Sequence, residues 1–174
     1  MIIGSNGNLN NVDQIPVNDF PAVILNSNYM EDWNWIGNGV SVLSSTGTRK
    51  VHNLITHKIT QGLPLVPLET TVHTQAGLSL NYFAQANRRP SSLELISSLP
   101  SRFNDGVLLI AEPGDVLLNN DRSTVRSVFF GIPNPNAWTN NARTLFLQSV
   151  AWVIEGDDAD NDGVFDDVDN CPSV

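Results

Sequence analysis

Gly106-Val107-Leu108-Leu109-Ile110-Ala111-Glu112 and Val125-Arg126-Ser127-Val128-Phe129-Phe130 are the two stretches on which the fold turns. The first is an almost unbroken apolar run of strand length and reads as the strongest strand in the chain. The second is nearly as apolar, and Asn119-Asn120-Asp121 between them favours a turn. Beyond Phe130 the period changes. Ala142, Leu145, Phe146, Ser149, Val150, Val153 and Ile154 recur at helical spacing. Thr139, after Trp138, is placed to cap that helix, and Gly156 to stop it. A buried strand followed closely by an amphipathic helix predicts α/β layering. Ile110 and Phe129 are expected in neighbouring buried strands, with Leu145 and Phe146 packing toward the same core.

Working outward, the rest of the body alternates short apolar runs with polar turns. Pro21 to Leu25 reads as a short buried strand, and Ile2-Ile3 as the remnant of another. Asn11 to Val17 is a weak helix or loop, and Tyr29 to Ile36 a short helix after the turn Asn26-Ser27-Asn28. Gly39 to Ser44 and Arg49 to Ile55 read as two strands joined through Ser-Thr-Gly-Thr. Thr70 to Val72, Gly77 to Leu80 and Leu93 to Ile96 add further short strands. No internal repeat is visible in the body.

With 174 residues the chain is long enough for one domain with a real core. No apolar run approaches the ~20 residues of a membrane helix. The net charge of −9 is an uneven average, because eight acidic residues fall between Glu155 and Asp169. Without them the body is nearly neutral, so the acidity belongs to the tail. No basic stripe is present to hold a phosphate backbone, which argues against nucleic acid. Cys171 is the single cysteine. The start Met1-Ile2-Ile3-Gly4 carries no secretory leader, which predicts that the natural N-terminus lies upstream and that the chain is an internal piece.

The tail reads Asp158-Ala-Asp160-Asn-Asp162-Gly163-Val164-Phe-Asp166-Asp167-Val-Asp169-Asn170-Cys171-Pro172. Calcium takes six to eight oxygen ligands and favours carboxylates. Asp158, Asp160 and Asp162 alternate so that three carboxylates surround one centre. Gly163 permits the sharp turn of loop position six, Val164 offers its carbonyl at seven, and Asp166 and Asp169 stand at nine and twelve. Asp157 and Asp167 break the alternation and are expected outside the ligand shell. The plainer alternative is a solvated acidic tail, against which stands the glycine at position six. The ending Asp-Asn-Cys-Pro does not open the exit helix of an EF-hand.

That ending instead resembles the thrombospondin type 3 repeat, D-x-D-x-D-G-x-x-D-x-x-D-N-C-P, over about fifteen residues. The resemblance implies an extracellular, calcium-stabilised stalk of tandem, disulfide-linked repeats, with a role in cell adhesion. The neighbouring repeats that would share calcium and pair with Cys171 lie outside this sequence.

The body, residues 1–155, resembles class I glutamine amidotransferase-like domains, including their trehalose-utilisation-type branch. The matching features come in order: Ile2-Ile3-Gly4-Ser5, Pro21-Ala-Val-Ile-Leu25, His57-Lys-Ile-Thr-Gln-Gly62-Leu63, Arg126-Ser-Val-Phe-Phe-Gly131, Trp138-Thr139 opening the last helix and Ala151-Trp152 closing it. The resemblance implies a flavodoxin-like three-layer fold, a parallel sheet between helices, with a leading strand–helix unit missing. Catalysis in that family needs a thiolate on a strand-to-helix turn, an activating His and an orienting carboxylate. Here Asn26 or Ser27 stands at that turn, no cysteine is near, and no His-x-Glu pair adjoins the last helix. Glutamine hydrolysis is therefore not expected.

Ser27 remains a candidate hydroxyl nucleophile with His52, His57 or His73 as base, although no G-x-S-x-G frame surrounds it and a turn cap explains it equally. Ser5 is equally explained by its Gly/Asn-rich turn. His57 has a bland role available, bonding loop backbone ahead of Gly62. No spacing suggests zinc. Trp152 reads as core. Trp33 and Trp35 read either as a sugar-binding pair at a cleft mouth or as half-buried packing. The sequence thus predicts a non-catalytic α/β binding or structural domain, residues 1–155, joined to a calcium-binding stalk, residues 156–174, on a secreted or cell-surface bacterial protein. Its expected partners are calcium, neighbouring repeats and a carbohydrate or protein ligand. The alternative is a hydrolase acting on a carbohydrate-type ligand through the amidotransferase-like cleft.

Overall fold

The computed structural model describes residues 1–4, 12–37, 41–44, 48–75, 77–84 and 92–155. Ser5, Gly39 and the whole tail with its proposed ligands Asp158, Asp160, Asp162, Val164, Asp166 and Asp169 lie outside the described residues. The strands are β1 (Ile2–Ile3), β2 (Ala22–Ile24), β3 (Ser41–Ser44), β4 (Arg49–Asn53), β5 (Thr70–His73), β6 (Ser79–Tyr82), β7 (Glu94–Leu99), β8 (Arg102–Ala111) and β9 (Ser127–Phe130), followed by the helix α1 (Asn140–Ile154). Seven of them form one sheet in the order β1-β2-β9-β8-β7-β4-β5, and β3 pairs with β6 separately.

The domain is α/β, with a mixed sheet. β1, β2 and β9 run parallel, Ala22 opposite Ser127 and Ile24 opposite Phe129. From β9 onward every ladder through β8, β7, β4 and β5 is antiparallel. β7 and β8 form a tight hairpin, so their antiparallel pairing needs no crossover. The wholly parallel sheet expected from the sequence is present only at the β1-β2-β9 end.

The apolar runs explain the two cores. Along β8, Leu108 and Ile110 join one cluster and Leu109 and Ala111 the other, as the two-residue period of a strand requires. The first cluster lies under α1, whose Ala142, Leu145, Trp152 and Val153 pack on Val23, Val128, Phe130 and Ile96. The second is closed by Val12, Val17, Met30, Trp33, Trp35 and Ile36, all from the irregular segment between β1 and β2 and just after β2. Ile110 and Phe129 are both buried in neighbouring strands, but they point to opposite cores. Only Ile110 shares its core with Leu145, against which Phe146 also packs.

Two further expectations are corrected. Tyr29 to Ile36 forms successive turns, not a helix. Asn34 adopts a left-handed φ of 61°, and Trp35 N–H reaches back to the Met30 carbonyl at 3.0 Å. Asn tolerates that conformation better than most residues, and it breaks helical continuity. The strands at residues 41–44 and 49–53 do not pair with each other. β3 pairs with β6, while β4 lies between β5 and β7. The inner position of β4 is fixed by a buried polar junction. Asn53 Nδ2 donates to the Pro64 carbonyl at 2.8 Å and to Thr70 Oγ1 at 3.1 Å, and Ser97 Oγ donates to Asn53 Oδ1 at 2.8 Å. A buried amide satisfied from both neighbouring strands sets register as well as stability.

Candidate functional site

In an open sheet with parallel strands, ligands bind where the carboxyl ends of those strands open. Here β1 leads into Gly4, β2 into Leu25-Asn26-Ser27, and β9 into Gly131 to Asn134. Asn26 and Ser27 are buried, Ser27 at 6% exposure. The turn is built by Asn26, whose Oδ1 accepts from Asn28 N–H at 3.1 Å. The side-chain cap is thus an asparagine next to the serine, a local bond typical of Asx turns. Gly131 has no room for a side chain. A Cβ there would strike the Asn81 carbonyl oxygen and stand 2.7 Å from the Val107 carbonyl oxygen. That close approach lets β6 cross beside β8 just past the end of β9, with Asn81 N–H bonded to the Gly131 carbonyl at 2.9 Å.

At this edge a cleft of about 500 Å³ is lined by Gly4, Gln75, Leu78, Asn134, Asn136 and the short Pro135–Ala137 turn. Its size is in the usual range for a small-molecule site. Asn134, between two prolines, holds a left-handed φ of 65° and makes no side-chain cap bond. Below the cleft wall, Arg49 donates from Nε to the Leu78 carbonyl at 2.6 Å, and Arg49 stands opposite His73 in the β4–β5 ladder. Both are buried. Burial lowers the pKa of His73, and the Arg49 guanidinium adds to the effect. The adjacent Pro133 carbonyl pulls the other way. Among the described residues, no group meets full hydrogen-bond geometry with either His73 ring nitrogen, the Pro133 carbonyl being the near neighbour. Arg49 too is lowered, by desolvation.

The three histidines are dispersed. His57 is at the opposite edge. Its ring meets Trp152 edge-on at 5.3 Å, and Arg126, the residue before β9, lies over the Trp152 ring at 5.3 Å. Arg126 also donates to the Glu155 carbonyl at 2.7 Å, which ties the end of α1 to the start of β9. Because β2 and β9 are parallel with Ala22 opposite Ser127, the Ser27 turn and the Arg126–His57 corner are at opposite ends of the strands. The structure does not bring Ser27 and His57 together. His57 does what its bland reading requires: Nδ1 accepts from Ile59 N–H at 3.1 Å, and the Thr60 hydroxyl accepts from His57 N–H at 3.0 Å, a reciprocal cap ahead of Gly62. Burial, Arg126 and Lys58 lower its pKa. His52 lies on β4, stacked on Phe103 at 5.1 Å.

The tryptophans are structural. Trp33 and Trp35 are 3% and 0% exposed, and their indole N–H groups donate to the Val12 carbonyl at 3.1 Å and to Asn18 Oδ1 at 2.9 Å. They anchor the segment that closes the second core, and neither stands at a cleft mouth. Trp152 is core, as expected. The sequence reading passed over the amides Gln75, Asn134 and Asn136. The one signal for them was Pro133-Asn134-Pro135-Asn136, a turn-forming run directly after a buried strand.

Among the described residues no group of three or more His, Cys, Asp or Glu side chains is gathered, and no helix is long and apolar enough to cross a membrane. No family model, curated protein or solved structure matches the chain.

Proposed function

We propose that this chain is a non-catalytic binding or structural domain of a secreted or cell-surface protein, carrying a calcium-binding stalk segment of thrombospondin type 3 character. The observation that carries this reading is the run Asp158 to Pro172, with carboxylates at loop positions one, three, five, nine and twelve and glycine at six. The neutral body against an acidic tail supports a division of labour, with calcium taken by the tail and a ligand or neighbouring module by the body. The body's ligand surface is the carboxyl-edge cleft. The parallel β1-β2-β9 unit, with a helix returning after β9, supports a flavodoxin-like, amidotransferase-like ancestry for it. The non-catalytic reading rests on the absence of cysteine from the body, the burial of Ser27 and the separation of Ser27 from His57.

The test is calcium titration by calorimetry on the full chain. Asp162→Ala removes a ligand of the fifth position and weakens binding strongly. Asp167→Ala, outside the ligand pattern, changes it little. Equal losses would mean that calcium is held only by diffuse negative charge, and the loop reading would fall. A second measurement addresses the body: incubation with glutamine releases no ammonia above a protein-free blank.

A further inference from the structure

Gln75, Asn134 and Asn136 line one cleft from two separate connections, the loop after β5 and the turn between β9 and α1. Each amide carries two N–H donors and an acceptor oxygen. Gln75 and Asn136 are exposed and Asn134 is half-buried, and none of the three side chains makes a hydrogen bond to a described protein group, so all three amides are open to the cleft. Asn134 holds a left-handed backbone, which asparagine tolerates better than most residues and which sets the turn between β9 and α1. Charge is missing from the described lining, and so are aromatic rings.

We infer that the carboxyl-edge cleft binds an uncharged, polyhydroxylated ligand, a neutral saccharide, through the amides of Gln75, Asn134 and Asn136. This inference rests on the carboxyl-edge reading above and adds the ligand's chemistry to it. The alternatives each need something the described lining lacks. A phosphate or carboxylate is held by Arg, Lys or a fork of backbone donors. A metal cation needs carboxylates or carbonyls in number. A flat apolar ligand needs aromatic or aliphatic walls. A sugar ring presents hydroxyls that donate and accept at the same oxygen, and a side-chain amide answers both functions within one plane. Leu78 and Pro135 supply apolar surface for the ring's C–H face. A peptide also offers paired donors and acceptors. It is bound mainly along an open strand edge, and the cleft is a compact space beside the ends of strands.

The experiment uses the full chain and four probes at millimolar concentration: maltose, cellobiose, glucuronate and trialanine, read by ligand-observed saturation-transfer NMR and by titration. The expected result is binding of at least one neutral disaccharide and weaker or no binding of glucuronate and trialanine. Gln75→Ala and Asn134→Gly each lower the disaccharide affinity by about 3- to 10-fold, the loss expected for one or two hydrogen bonds. Asn134→Gly is chosen because glycine accepts the left-handed backbone freely, so the amide is lost without disturbing the turn. Thermal melts of both variants check that folding is kept. If glucuronate or trialanine binds better and the variants weaken it, the cleft stands and the neutral-saccharide inference is overturned. If a disaccharide binds but neither variant matters, the site is elsewhere and the carboxyl-edge reading fails. If none of the four binds, the inference is overturned.

Discussion

Two glycines in the strands and their ends test how closely the backbone is packed. At Gly131 an added Cβ meets two carbonyl oxygens, of Asn81 and Val107, and backbone cannot step aside. At Gly106 the nearest atoms are the side-chain ends of Leu109 and Leu95, at 2.7 Å, which can rotate. Gly131→Ala should therefore cost on the order of 3 kcal/mol or more, with Gly106→Ala costing clearly less. Urea unfolding of the two variants checks this, and equal costs would show that the Gly131 crossing is looser than described. The histidines give a pH prediction. His57 and His73 both have folded pKa values below the ordinary ~6.5, through burial first. The unfolded chain thus takes up protons that the folded chain resists. Their stabilising contribution is complete above about pH 6.5 and is lost as pH falls through the lower folded values. Urea midpoints measured from pH 8 to pH 5 should fall, and His57→Gln should flatten part of that fall.

At the scale of elements, α1 is the best-specified part of the chain. Thr139 Oγ1 accepts from Ala142 N–H at 3.2 Å and donates to the Thr71 carbonyl at 2.8 Å, so one hydroxyl both caps the helix and ties it to β5. Thr139→Ala should cost about 1–2 kcal/mol. Leu145, wholly buried between α1 and the sheet, should cost about 2–5 kcal/mol on truncation to Ala. Chemical denaturation of both variants measures these costs, and a Leu145→Ala loss under about 1 kcal/mol would mean the face is misassigned. This helix and the strands β2, β8 and β9 were legible because each carries its own signal: a period of 3.6, or an apolar run with turns around it. The pairing of β3 with β6, and the inner place of β4, were not legible. Nothing local to Arg49–Asn53 announces that Asn53 will be satisfied by Ser97 and Thr70 from two other strands. The turns at Tyr29 to Ile36 were misread because Met30, Trp33 and Ile36 fall at helical spacing, whereas the left-handed Asn34 decides the backbone. The cleft amides were missed because lone asparagines in a proline-rich turn carry no periodic signal.

For the whole molecule, the body and the acidic tail meet at Glu155, whose carbonyl is held by Arg126. Cutting the chain after Glu155 should leave a body that unfolds cooperatively, at the same temperature in calcium and in chelator. Any calcium response of the full chain should disappear with the tail. Circular dichroism melts of both forms check this, and a body that fails to fold alone would make the tail part of its core.

The position of β9 between β2 and β8 has a consequence for how the chain is made. Ser127 Oγ bonds to the Val17 carbonyl across 110 residues of sequence, and the ladder beside it joins β2 to a strand of equally late synthesis. Contacts this distant slow folding, since the loop must close before they form. A ribosome adding roughly 5–20 residues per second leaves β2 with one edge unpaired for roughly 5–20 s before its partner emerges. During that interval the Ala22–Ile24 edge is an apolar template open to wrong partners, which makes the nascent chain a natural client for holding chaperones.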